Sequence, residues 1–162
     1  MEKFEEIFIK NLPKIPYKLE PIYLFDWLIL GNLQDALTKQ TDMNIDAILS
    51  VFDDADYFKE EFSKKDWLVI DILDSADQNI EQHFEKAFEF LDNMEKQKKT
   101  CIVHCHAGIN RSATIVLAYF VKKTGINLFD AYEFVSLMRP GIIYNTGFRK
   151  QLILWAKKNN FI

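Results

Sequence analysis

The chain has 162 residues, 49% hydrophobic and 27% charged, with a net charge of −4; this excludes a disordered or collagen-like chain and fits one domain with its own core. Two cysteines, Cys101 and Cys105, are too few for a disulfide framework, so a reducing, cytoplasmic setting is expected, with nuclear entry compatible. Residues 1–100 hold 12 basic and 22 acidic side chains, a balance of −10, while residues 101–162 hold 8 and 2, a balance of +6; the acidic front half speaks against a nucleic-acid partner.

Met1–Lys10 carries acids and lacks an apolar h-region, so no secretory leader is expected. Phe4, Ile7 and Phe8 fall at helical spacing before Pro13 and Pro16 close the segment. This lead-in, residues 1–20, is expected to dock on the domain itself, a dimer contact being the alternative. The domain proper is expected over residues 21–160.

Pro21–Leu24 and Leu28–Leu30 read as short strands ending at Gly31, and Asn32 caps a helix to about Gln40. Ile45–Phe52 and Trp67–Ile72 read as strands, the second followed by a loop of acids and small residues. Ile80–Glu95 is an amphipathic helix with Phe84, Ala87, Phe88 and Leu91 on one face, and Asn79 with Gln82 fits a capping box. Thr100–His104 is a buried strand, and Ser112–Lys123, apolar nearly all round, a central buried helix stopped by Gly125. Asn127 starts a helix to about Met138, and Phe148–Lys158 is the last. The longest apolar stretch, Ala113–Val121 interrupted by Thr114, falls short of the ~20 residues that span a bilayer, so no membrane segment is expected. Strands alternating with helices give an α/β class, a central sheet flanked by helices.

The chemistry concentrates in Cys101–Thr114, CIVHCHAGINRSAT. A buried strand ends at His104, a loop carries Cys105, Gly108 and Arg111, and a buried helix begins at about Ser112. Loop amides and the positive end of the helix converge on one point, which makes an anion cradle of His106, Ala107, Gly108, Ile109 and Asn110. Gly108 allows the tight turn, and Arg111 offers a fork matched to two phosphoryl oxygens. The same field favours the thiolate of Cys105, placing a nucleophile beside a bound phosphate ester. A zinc cluster from Cys101, His104, Cys105 and His106 is disfavoured, because neighbouring strand residues point to opposite faces and only His83 remains as a further histidine. Cys101 is expected to pack in the core, a redox-partner role being the alternative. No metal or cofactor is called for.

His104-Cys105, Ala107-Gly108 and Arg111-Ser112 resemble the HC-x-A-G-x-x-R-S signature of the cysteine-dependent dual-specificity protein phosphatases, of the small single-domain type. The resemblance runs from about Pro21 to Lys158 and takes in Tyr23-Leu24, Leu30-Gly31, Ala36 and the N-x-G-F segment Asn145-Thr146-Gly147-Phe148; Tyr144 stands where the family often has Pro. It implies a protein-tyrosine-phosphatase-like, mostly parallel sheet. It also implies that Ser112 assists the departing thiolate and that Asn145 supports the loop. His104 is expected to orient the loop by hydrogen bonding and not to act as the base; whether His106, inside the loop, faces solvent and tunes specificity is left open. The substrates implied are phosphoproteins carrying phosphotyrosine or phosphoserine/threonine. An acid must protonate the leaving oxygen; Asp71, Asp74 and Asp77 are the candidates. Asp74 is favoured as free to swing over substrate, with Asn79-Ile80 matching the pair that follows the family's acid. The alternatives are an RNA 5′-triphosphatase and a phosphate-binding pseudophosphatase without turnover.

Overall fold

Four short apolar runs, none longer than five residues, assemble around a fifth into one sheet. The computed structural model describes residues 2–10 and 19–162. Strands β1 (Ile22–Phe25), β2 (Leu28–Gly31), β3 (Ala47–Val51), β4 (Asp66–Ile70) and β5 (Cys101–His104) lie in the order β1-β2-β5-β3-β4. Only β1 is antiparallel, to β2; β5 pairs in parallel with both β2 and β3, and β3 with β4. The parallel strands therefore end together at one edge, where the loops after β3, β4 and β5 meet.

Helices follow as α1 (Glu2–Lys10), α2 (Leu33–Thr38), α3 (Lys59–Phe62), α4 (Phe84–Lys96), α5 (Arg111–Thr124), α6 (Leu128–Met138) and α7 (Thr146–Lys158). Strand alternation sorts the core into two faces. Leu28, Leu30, Ala47, Leu49, Cys101 and Val103 pack with α4 to α7, whereas Ile29, Ile48 and Ile102 pack with Ala36, Ile45 and Phe62. Every residue of α5 from Arg111 to Val121 is buried, and Gly125 ends the helix at a left-handed φ of 73°.

One local feature adds to the sequence reading and one differs from it. Residues 53–62, to which that reading assigns no element, carry a 3-10 turn at Ala55–Phe58 that runs into α3. Asp53, Asp54 and Asp56 mask the helical spacing of Phe58 and Phe62, whose rings stand 6.0 Å apart. At Asn79 the cap accepts the Gln82 N–H (3.2 Å), but the Gln82 amide donates to the Asn79 carbonyl. The complete capping box lies at Asn32, where Asp35 and Asn32 exchange bonds of 2.8 and 2.9 Å.

The described helix of the lead-in, α1, packs against α6 and α7. Phe8 is buried with ring contacts to Phe129 and Tyr132 at 5.5 and 4.8 Å, and the Arg149 guanidinium stacks 4.7 Å above it. Lys157 of α7 donates to Glu5 at 2.8 Å. Ile7 stays exposed. Pro13, Pro16 and the Phe4 side chain lie outside the described residues.

Candidate functional site

Cys105 is the first residue past β5, buried at 3% exposure with Phe52 and Ala55. Its Sγ accepts the Gly108 N–H at 3.2 Å and lies 3.1 Å from Ser112 Oγ, a hydroxyl that can donate to the sulfur once it carries negative charge. The chain turns back through Gly108 at φ 66°; a Cβ there would stand 2.5 Å from Arg139 Nη2 and closer still to the Gly31 carbonyl, so glycine is required on both counts.

Arg139 explains how the loop keeps its shape. It is fully buried, and its Nε and Nη2 donate to the carbonyls of Gly108 (2.8 Å) and Ala107 (3.0 Å), while Nη1 holds the Glu20 carbonyl (2.7 Å). Drawing these two carbonyls outward leaves the loop's amide hydrogens on the inner side. The sequence reading missed Arg139, since a lone arginine ending an apolar helix before Pro140 reads as a solvated cation.

Arg111 opens α5 at 6% exposure, and its Nη1 donates to Asp53 Oδ1 and to the Ile72 carbonyl, both at 2.9 Å. Its Nε is buried with no partner, a donor left over for an anion in the loop. Desolvation opposes ionisation of Asp53, but the Asp53 backbone hydrogen bond and the Arg111 guanidinium outweigh it and hold the carboxyl below its usual value. Asp53 was also missed, although an acid just past the carboxyl end of a parallel strand is a recurrent signal. Asn110, the residue before α5, makes no side-chain cap; its carbonyl accepts the Thr114 N–H and hydroxyl. The helix end is thus left open toward the loop.

His104 is fully buried, and burial lowers its pKa to about 4, so the ring is neutral near pH 7. Trp67 Nε1 donates to Ser50 Oγ (2.9 Å), which directs the Ser50 hydroxyl onto His104 Nε2 (2.6 Å) and leaves Nδ1–H to hold the Cys105 carbonyl (3.0 Å). Ser50 and Trp67 carry no sequence signal for this relay. His106 is exposed, with its Nε2 2.7 Å from Asp54 and its ring edge on Phe52 at 4.9 Å.

Asp74 is not free to swing. Its Oδ2 accepts from Asn110 Nδ2 (2.8 Å) and its Oδ1 from Asn145 Nδ2 (2.9 Å). Asn145 in turn donates its N–H to Asn110 Oδ1 (3.0 Å), and its Oδ1 caps α7 through the Phe148 N–H (3.1 Å). Two asparagines therefore couple the acid loop to the phosphate loop. Gln151 fastens the same loop by donating to the Gln78 carbonyl (2.7 Å) and accepting the Ile80 N–H (2.8 Å). Asp77 takes the Ser75 hydroxyl at 2.5 Å, and Asp71 is exposed at the end of β4.

The turn containing Tyr144 is set by Ile143, held at φ 56° by its N–H to the Ile109 carbonyl (2.7 Å) and by Arg149 Nε on its own carbonyl. Cys101 packs in the core facing α5, where burial pushes its thiol far up, and His104 is committed to Ser50. Among the described residues, no helix is long and apolar enough to cross a membrane.

Residues 28–158 match the family pattern described as dual specificity phosphatase, catalytic domain. Dual specificity protein phosphatase 22-B of Danio rerio is 37% identical over 127 residues, covering 77% of this chain and 68% of that protein. Dual specificity protein phosphatase 1 of Arabidopsis thaliana is 39% identical over 84 residues, covering 52% of this chain and 42% of that protein. Among solved structures, that of DUSP15 superposes with a TM-score of 0.78 at 30% identity, covering 87% of this chain and 91% of that one.

Proposed function

This chain belongs to the dual specificity phosphatase family, and we propose that it hydrolyses phosphoprotein monoesters in two steps through a phosphocysteine at Cys105. The observation that carries the reading is one constellation. A buried sulfur facing the Gly108 N–H and the Ser112 hydroxyl and a buried guanidinium with an unpartnered Nε share a loop whose carbonyls are held outward.

The Cys105 sulfur attacks phosphorus while the loop amides of His106, Ala107, Gly108, Ile109 and Asn110, with Arg111, neutralise the equatorial oxygens. Asp74, protonated in this step, gives its proton to the leaving oxygen; one of its two asparagine contacts must loosen, because a protonated oxygen cannot accept in the same way. Asp74 then takes a proton from water as that water attacks the phosphocysteine, and Ser112 donates to the departing thiolate. Asp74 is preferred to Asp71 and Asp77 because it alone is bonded to a phosphate-loop side chain. His104 and Asn145 position the loop and the acid.

Residues 21–160 form the catalytic domain in this reading, with 1–20 as its lead-in. Phosphotyrosine and phosphoserine/threonine are both substrates, nucleic acid is not, and a cytoplasmic setting keeps Cys105 reduced. The test is turnover of phosphotyrosyl and phosphothreonyl peptides. Cys105→Ser is expected to abolish it while phosphopeptide binding survives; substantial residual turnover would refute the scheme.

A further inference from the structure

We propose that the mouth of this site selects phosphopeptides carrying arginine or lysine beside the phosphorylated residue, a substrate class that rests on the phosphatase reading above. The parallel strands bring three loops to one edge, residues 52–58, 71–80 and 105–110, and the α6–α7 loop, residues 140–145, bonds to the last of them through Ile143 and Asn145. These loops carry Asp53, Asp54, Asp56, Asp71, Asp74 and Asp77, and no lysine or arginine. Bonds tie three of the acids directly to phosphate-loop residues: Asp53 to Arg111, Asp54 to His106 and Asp74 to Asn110.

The positive charge of Arg111 is buried and is shared with Asp53. A phosphoryl dianion is thus served by the unpartnered Arg111 Nε and the loop amides, and repelled by the carboxylates held beside them, Asp54 foremost. A substrate that brings its own cations offsets the repulsion; one that brings further anions adds to it. Ligand atoms of Asp53, Asp54 and His106 lie within 4.8 Å of one another, a spacing that one planar guanidinium can bridge.

The test uses two phosphothreonyl peptides, identical but for arginine or glutamate two residues to either side. Their kcat/KM values are measured at low and high salt, and their binding to Cys105→Ser by fluorescence polarisation. The arginine peptide is expected to lead by about tenfold at ~50 mM salt and by less than about threefold at ~0.5 M. In the Asp54→Asn/Asp56→Asn/Asp77→Asn variant the ratio should fall at least about threefold; because the ratio compares two peptides on one enzyme, changes in the chemical step cancel. Equal treatment of the peptides, preference for glutamate, or tighter binding of triphosphorylated RNA or phosphoinositide vesicles would overturn the proposal. Selective binding of the arginine peptide without turnover of either would refute the hydrolase reading and leave the mouth's selectivity standing.

Discussion

Replacing Gly147 by alanine isolates the contribution of the acid loop. Gly147 lies in the first turn of α7, and an added Cβ would stand 2.6 Å from the Ala76 carbonyl carbon and closer still to its oxygen. Carbon atoms in contact need about 3.5 Å, so the loop must retreat by ~1 Å. The obstacle is backbone, with no rotamer to yield, and Ala76 is two residues from Asp74. A misplacement of ~1 Å at a reacting group costs about a hundredfold in rate. Turnover of a phosphothreonyl peptide, whose alkoxide leaving group needs the proton, should therefore fall by about that factor. Turnover of p-nitrophenyl phosphate, whose leaving group is a weak base, should fall by less than about fivefold, since general acid help contributes little there. Alanine is the better helix former by about 1 kcal/mol, so any loss of stability must come from the Ala76 contact. Stopped-flow kcat values on both substrates, with a thermal melt of the variant, make the comparison. A peptide rate within twofold of the parent, or an equal loss on both substrates, would refute the coupling of α7 to Asp74.

Asp74→Asn should lower peptide kcat by about 10²–10³ and flatten the limb of the pH–rate profile that reports the acid, measured from pH 4 to 8. Arg139→Met keeps the buried stem but removes three bonds to carbonyls; urea unfolding should show a loss of about 3 kcal/mol, and kcat/KM should fall by about a hundredfold. His104 gives a pH signature. Its folded pKa of about 4 lies below the ordinary histidine value of 6.5, so the unfolded chain binds the extra proton. Stability is then full above about pH 6.5 and declines as pH falls toward 4, by up to about 3 kcal/mol. His104→Asn, whose amide can still donate to the Cys105 carbonyl, should remove that part of the slope in urea titrations at pH 4 to 7.

The legible parts of the site are local in the chain. Cys105, Gly108, Arg111 and Ser112 span eight positions between a strand and a helix, so their spacing alone states the cradle. Asp74 could be favoured over Asp71 and Asp77, but its restraint could not be read, because Asn110 is 36 residues away and Asn145 is 71. Arg139 and Asp53 stayed hidden for the same reason: each acts on a partner at least 31 residues distant in sequence.

The apolar runs and the 3.6-residue period of Phe84, Ala87, Phe88 and Leu91 determined the elements, since burial of one face is a property of neighbouring residues. The Cys105-to-Arg111 spacing determined the reaction class. Strand order was a tertiary decision. Inserting β5 between β2 and β3 brought the Asp53 and Asp74 loops to Cys105. It also set two acids of the front half, Asp53 and Asp54, against Arg111 and His106 of the phosphate loop. Composition records how many acids a chain has; only the sheet settles which of them face the same few ångströms of solvent.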